Sequence, residues 1–131
     1  MGIPSITLDT HSLIWYIDTN LNEKLSKTAL HAIEEAEDSG IIYIPAITLL
    51  EALDLIEKGR IKLSFDVFMA SIREDVAYQI IPLDEELLKA AIPLKGLEIH
   101  DRLIVATAIL TNTVLVCRDR AVRAMGVNVV W

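Results

Sequence analysis

Apolar side chains follow two alternating spacings along this chain. Short unbroken runs stop at polar or turn residues: Ile6–Asp9, Ile41–Ile44 before Pro45, Tyr78–Leu83, Val114–Cys117 and Val127–Val130. Runs of that length, bounded by breakers, predict buried strands. Between them apolar positions recur every three or four residues, the repeat of a helix with one buried face. Ala29, Leu30, Ile33 and Ala36 form one such face, in a helix opened by Ser26, running to about Asp38 and ended by Gly40. Phe65, Phe68, Met69 and Ile72 form another, with Ser64 as its cap.

Further helices are predicted over Ser12–Ile17 with Thr10 as N-cap, from about Ile47 to Lys58 with Gly59 closing it, and over Glu85–Ile92 between Asp84 and Pro93. His100–Leu110 is the most apolar helix and is expected to be central, and Ala121–Met125 is short. Asp18-Thr19-Asn20 reads as a break, and Pro93-Leu94-Lys95-Gly96-Leu97 as a loop. No internal repeat, low-complexity tract or linker is visible, so residues 1–131 are expected to form one domain. The alternation of strand and helix predicts an α/β fold, an open parallel sheet of four to five strands with helices on both faces.

Composition supports that fold class. Hydrophobic residues make up 53% of the chain and aromatics only 5%, so aliphatic side chains fill the core, as in a covered parallel sheet. The formal net charge of −7 argues against a broad phosphate-binding surface. It leaves room for a small acidic site that meets phosphate through a cation. The single cysteine, Cys117, permits no internal disulfide, which fits the cytosol, and its apolar setting reads as a small buried hydrophobe. The start, Met1-Gly2-Ile3-Pro4-Ser5, has no basic region or long apolar run, and Ile6 breaks the myristoylation pattern. No segment reaches the ~18 uninterrupted apolar residues of a membrane span, so no membrane association is expected.

Candidate chemistry comes from four acids. Asp9 and Asp119 lie at or just past the ends of predicted strands; Glu51 and Asp101 sit inside otherwise apolar helical stretches. In a parallel α/β fold, ligands bind beyond the carboxyl ends of the strands, and all four can project to that edge. Isolated carboxylates in apolar surroundings are costly. A cluster of four calls for a hard divalent cation, and so for metal-assisted chemistry.

The motifs that carry these acids resemble the successive motifs of PIN-domain ribonucleases, most closely the VapC-type toxins of toxin–antitoxin pairs. They are Leu8-Asp9-Thr10-His11, Leu50-Glu51-Ala52-Leu53 with Gly59-Arg60-Ile61 following, His100-Asp101-Arg102-Leu103-Ile104-Val105-Ala106-Thr107-Ala108, and Arg118-Asp119-Arg120-Ala121. The resemblance runs in order to Trp131. It implies a three-layer α/β/α sandwich, Mg²⁺- or Mn²⁺-dependent cleavage of RNA, a cognate antitoxin that blocks the site, and a homodimer. Asp9, Glu51 and Asp101 match the acidic triad, Asp119 a more variable fourth acid, and Thr10 a hydroxyl position beside the first. Cys117 stands where such proteins often carry Ser or Thr, which removes an expected polar contact near Asp119.

Each residue also has a plainer role. Asp9 suits a helix cap, Asp101 the start of a helix, and Asp119 an ion pair with Arg118, Arg120 or Arg123. Asp54, one turn after Glu51, could join the site but reads rather as a surface acid or a group supporting the site from behind. His100 reads as a positioning or core residue rather than a general base, and His11 and His31 as surface or helix-packing residues. Arg102, Arg118, Arg120 and Arg123 could meet RNA phosphates or nearby acids. Trp15 and Trp131 read as core or edge aromatics, with Trp15 also a candidate wall of an antitoxin groove. The apolar helices around Leu13, Ile14, Leu49, Leu53 and Ile56 are the expected antitoxin surface. Two other metal-dependent phosphotransfer patterns are absent. A haloacid-type phosphatase needs an acid where His11 stands, and a receiver domain needs an acidic pair at the first strand. A binding module with an inactive site is the alternative from another class.

Overall fold

Five parallel strands form one sheet in the computed structural model, which describes residues 4–131. Residues 1–3, read above as part of neither a signal peptide nor a lipidation motif, lie outside the described residues. In chain order the elements are β1 (Ile6–Leu8), α1 (Thr10–Ile17), a 3₁₀ turn (Thr19–Lys24), α2 (Lys27–Ser39), β2 (Ile42–Pro45), α3 (Ala46–Glu57), α4 (Phe65–Arg73), β3 (Tyr78–Ile81), α5 (Glu85–Ala91), α6 (Ile99–Thr111), β4 (Val114–Val116), α7 (Arg120–Arg123) and β5 (Val129–Val130). The strand order is β3-β2-β1-β4-β5, as β1 pairs with β2 on one side and β4 on the other.

Apolar residues on the two faces of the sheet form two cores. One joins Leu8, Ile42, Ile44 and Val116 to Leu13, Ile14, Ile33 and Phe68 from α1, α2 and α4. The other joins Leu115 and Cys117 to Leu87, Leu103, Val105 and Val122 from α5, α6 and α7. This is the expected α/β/α sandwich. Each fully buried Leu, Ile or Phe contributes roughly 1.5–3 kcal/mol, so two extended aliphatic cores suffice with few aromatics. The buried Thr7 hydroxyl in the central strand is satisfied by Thr113 at 2.6 Å.

Capping chemistry sets most helix starts. Ser26, Ser64 and Asp84 each accept a backbone N–H in the first turn, as their positions in the sequence predict. Of the two residues read as caps of the first helix, Asp9 and not Thr10 is the N-cap, accepting from Ser12 N at 2.9 Å. Asp18-Thr19-Asn20, read as a break, starts the 3₁₀ turn, with Asp18 as its cap. Strand ends also differ. The expected run to Leu83 stops at Ile81, because Pro82 has no N–H to continue the ladder. Gly59 adopts φ +73° after α3, the left-handed turn its position predicts.

Gly40 closes α2 for a different reason. A Cβ there would lie 2.1 Å from the Pro4 carbonyl oxygen, so the backbone before β1 packs directly on this residue. Gly40→Ala should therefore cost about 1–3 kcal/mol by overpacking, read as a lower urea midpoint. An unchanged midpoint would contradict this close approach.

Candidate metal-binding cleft

The sheet order places a switch point between β1 and β4: β2 and β3 extend to one side and β5 to the other. Connections leave in opposite directions there, opening a crevice at the carboxyl ends. Asp9 follows β1 and Asp119 follows β4, and Asp9 N donates to Val116 O at 3.4 Å, tying the two strand ends together. Glu51 comes from the second turn of α3, and Asp101 from the first turn of α6. All four acids line one cleft of about 490 Å³, together with Thr10, His11, Ser12, Trp15, Ile104, Cys117, Arg118 and Trp131.

The plainer roles of these acids fix their positions. Asp9 caps α1 through Oδ1, and Asp119 caps α7 by accepting from Ala121 N at 2.8 Å. Each cap holds its carboxyl group at the cleft edge through a backbone bond. Glu51 is gripped from both sides: the Thr10 hydroxyl donates to Oε1 at 2.5 Å, and His100 Nδ1 lies 3.3 Å from Oε2. His100 thus positions Glu51, as expected, and Thr10 supports the site rather than its helix.

Electrostatics mark Asp101 as the centre. Burial first, then the charges of Asp119, Glu98, Glu51 and Asp9, push its carboxyl above the usual range. Glu98 was not anticipated; it caps α6, accepting from His100 N at 2.9 Å, a place where Glu is an uncommon cap. Cys117 is buried, and burial followed by the charge of Asp9 drives its thiol up, so it stays protonated. Its sulfur accepts from Asp119 N at 3.4 Å, which supplies the polar contact that a Ser or Thr was expected to make.

Hard carboxylate oxygens without a thiolate suit Mg²⁺ or Mn²⁺ rather than a soft metal. Among the described residues, however, no three His, Cys, Asp or Glu side chains are placed tightly enough to close around one ion. The two observations fit together for Mg²⁺, which keeps several waters and is held by few direct carboxylates. The acids span a cleft, so a cation held by one or two of them would complete its shell with water.

Other expected residues fall elsewhere. Arg102 does not line the cleft; its guanidinium donates to Ala91 O at 2.9 Å and to Ile92 O, closing the end of α5. Arg118 lines the cleft and Arg120 is exposed outside it. Asp119 belongs to none of the ion pairs among the described residues, so its expected pairing with arginine is absent. Asp54 pairs with Lys58 at 2.8 Å as a surface acid. Leu13 and Ile14 are buried and cannot meet an antitoxin. An adjoining pocket does offer apolar surface at Leu50 and Leu55, beside Glu51 and His100. Sequence reading missed Ser12 and the cleft position of Trp131, neither of which stands in a motif.

Relatives bear on the fold. The chain resembles VapBC2 from Rickettsia felis, solved bound to a DNA fragment from its promoter, with 19% identity, TM-score 0.69, and coverage of 95% of this chain and 96% of that one. It resembles FitAcB from Neisseria gonorrhoeae at 22% identity and TM-score 0.64, over 95% of each chain. It also resembles Mycobacterium tuberculosis VapC20, a sarcin-ricin loop cleaving toxin, at 15% identity and TM-score 0.66, over 93% of this chain and 95% of that one. No curated protein matches. No helix among the described residues is long and apolar enough to cross a membrane. The PIN domain model matches residues 6–128, and the chain belongs to the PIN-domain family.

Proposed function

We propose that this protein is a metal-dependent endoribonuclease, the toxin of a toxin–antitoxin pair acting in the cytosol. The observation that carries the reading is the gathering of Asp9, Glu51, Asp101 and Asp119 around one cleft at the switch point. Family membership and the VapC20 likeness support it. Asp9 and Asp101 would hold Mg²⁺ or Mn²⁺, with Glu51 and Asp119 contributing directly or through water. The cation would lower the pKa of water and offset charge on the phosphate.

The chain's own groups set the geometry. The α1 cap fixes Asp9, and Thr10 and His100 hold both oxygens of Glu51. Arg118, which lines the cleft, would receive a neighbouring phosphate. Attack by water on phosphorus breaks the bond to the ribose 3′ oxygen and leaves a 5′-phosphate and a 3′-hydroxyl. EDTA should stop cleavage and Mg²⁺ or Mn²⁺ restore it, and Asp9→Asn or Asp101→Asn should reduce it to background. Thr10→Val, which loosens Glu51, should cost roughly ten- to a hundredfold. A product ending in a 2′,3′-cyclic phosphate would refute hydrolysis by water.

The antitoxin reading moves from the buried Leu13 and Ile14 to the pocket around Leu50 and Leu55. An apolar segment seated there could extend an arginine to the carboxylates, which favour a bidentate cation. Exposed Leu83, Leu88, Ile92 and Ile99 are available to a second copy of the chain. Co-expression with the cognate antitoxin should relieve growth arrest and give a complex holding two copies of this chain by light scattering. Leu50→Asp should abolish that rescue while cleavage persists. Full rescue of the Leu50→Asp protein would place the antitoxin elsewhere.

A further inference from the structure

We infer that Trp15, Trp131 and His11 form the platform on which this cleft stacks unpaired RNA bases, so that these rings carry most of its hold on RNA. This rests on the ribonuclease reading and names what that site grips. Trp15 touches the other two rings. His11 and Trp15 have centroids 5.5 Å apart at 49°, and Trp15 and Trp131 lie 6.0 Å apart at 60°. All three line the same cleft as the four carboxylates. Both tryptophans are half-buried, each resting on the core under α1 and α2 while also bordering the cleft, and His11 is exposed.

Charge makes such a platform necessary. The chain carries a net charge of −7, and four of its acids line the cleft against one arginine, Arg118. Phosphate attraction, the usual source of affinity for nucleic acid, is therefore weak here. Stacking is indifferent to the sign of the phosphate and is worth about five- to a hundredfold per base. Lys24 lies 5.9 Å from the Trp15 ring centre, which places one positive charge beside the platform. A duplex keeps its bases stacked on each other and offers no free faces; splayed bases of a loop do.

The chain contains only two tryptophans, and both border the cleft, so fluorescence excited selectively at tryptophan, which excludes the three tyrosines, reports this site. The test uses the Asp9→Asn/Asp101→Asn protein, which should not cleave and in which asparagine can still cap α1. It is titrated with a single-stranded octaribonucleotide and with the same strand annealed to its complement. The single strand should quench fluorescence and bind at least tenfold tighter than the duplex. Trp131→Leu should weaken binding at least fivefold, read by fluorescence anisotropy of labelled RNA, and Trp131→Phe should largely restore it. Trp15→Phe and Trp15→Leu give the same comparison, with circular dichroism confirming that each is folded.

In the active protein these leucine variants should raise KM more than they lower kcat. Equal affinity for strand and duplex, an unchanged KM, or loss of antitoxin binding with RNA binding intact would overturn the stacking platform. Quenching and single-strand preference without metal-dependent cleavage by the wild-type chain would leave the platform standing and remove the ribonuclease reading. Cleavage with an unchanged KM in the leucine variants would do the reverse.

Discussion

Mutual repulsion among carboxylates at one end of the sheet is the constraint around which this structure is arranged. Asp101 is half-buried, and burial first, then the charges of Asp119, Glu98, Glu51 and Asp9, raise its pKa. Side chains free to move would spread apart in water. Here they cannot, because each is anchored by a local bond or by its helix. Asp9 and Asp119 are caps, Glu51 is clasped by Thr10 and His100, and Asp101 is carried on the most buried helix. The fold thus maintains an arrangement that is unfavourable by itself and that a cation would relieve. Strained electrostatics of this kind are characteristic of functional sites.

The same constraint explains the rest of the cleft. A concentration of negative charge repels the phosphates of a polyanionic substrate, so the remaining walls must attract in another way. Aromatic rings and a single arginine occupy those walls. A basic antitoxin side chain would meet no such repulsion, which gives an inhibitor an electrostatic advantage over RNA at one site. Under the proposed function, binding of cation, substrate and inhibitor would be linked through the four carboxylates. Anything that neutralises them changes the affinity of the other two.

Much of this was legible in the sequence, for identifiable reasons. Apolar runs and three-to-four spacing located the strands and helices because both faces of the sheet are covered, so the pattern directly records burial. Serine and aspartate caps marked helix starts. The four acids were legible as a set because the carboxyl ends of parallel strands meet at one edge. What was not legible depended on contacts between distant segments. Asp9 and Thr10 both read as caps of the first helix; Asp9 takes that role, and the Thr10 hydroxyl goes to Glu51, a partner on another element that no local pattern announces. Arg102 sits in a motif beside an acid, yet its partners are carbonyls of α5. Leu13 and Ile14 belong to a core rather than a surface because α1 lies against the sheet. Trp131 has no local pattern that announces the cleft; only the position of β5 beside β4 brings it there.

Thermal melting of the wild-type protein and Asp101→Asn, each in EDTA and in saturating Mg²⁺ at neutral pH, tests the central claim most directly. A carboxyl whose pKa is raised by folding lowers stability as pH rises from about 3.8 through its folded value, because the folded state binds the proton more tightly. Above that window its full unfavourable contribution is present. The account therefore expects Asp101→Asn to melt above wild type in EDTA. Mg²⁺ should then raise the wild-type midpoint and leave the variant nearly unmoved. A wild-type protein that already melts higher than the variant in EDTA, with Mg²⁺ shifting both equally or neither, would contradict a repulsive carboxylate cluster built to hold a cation.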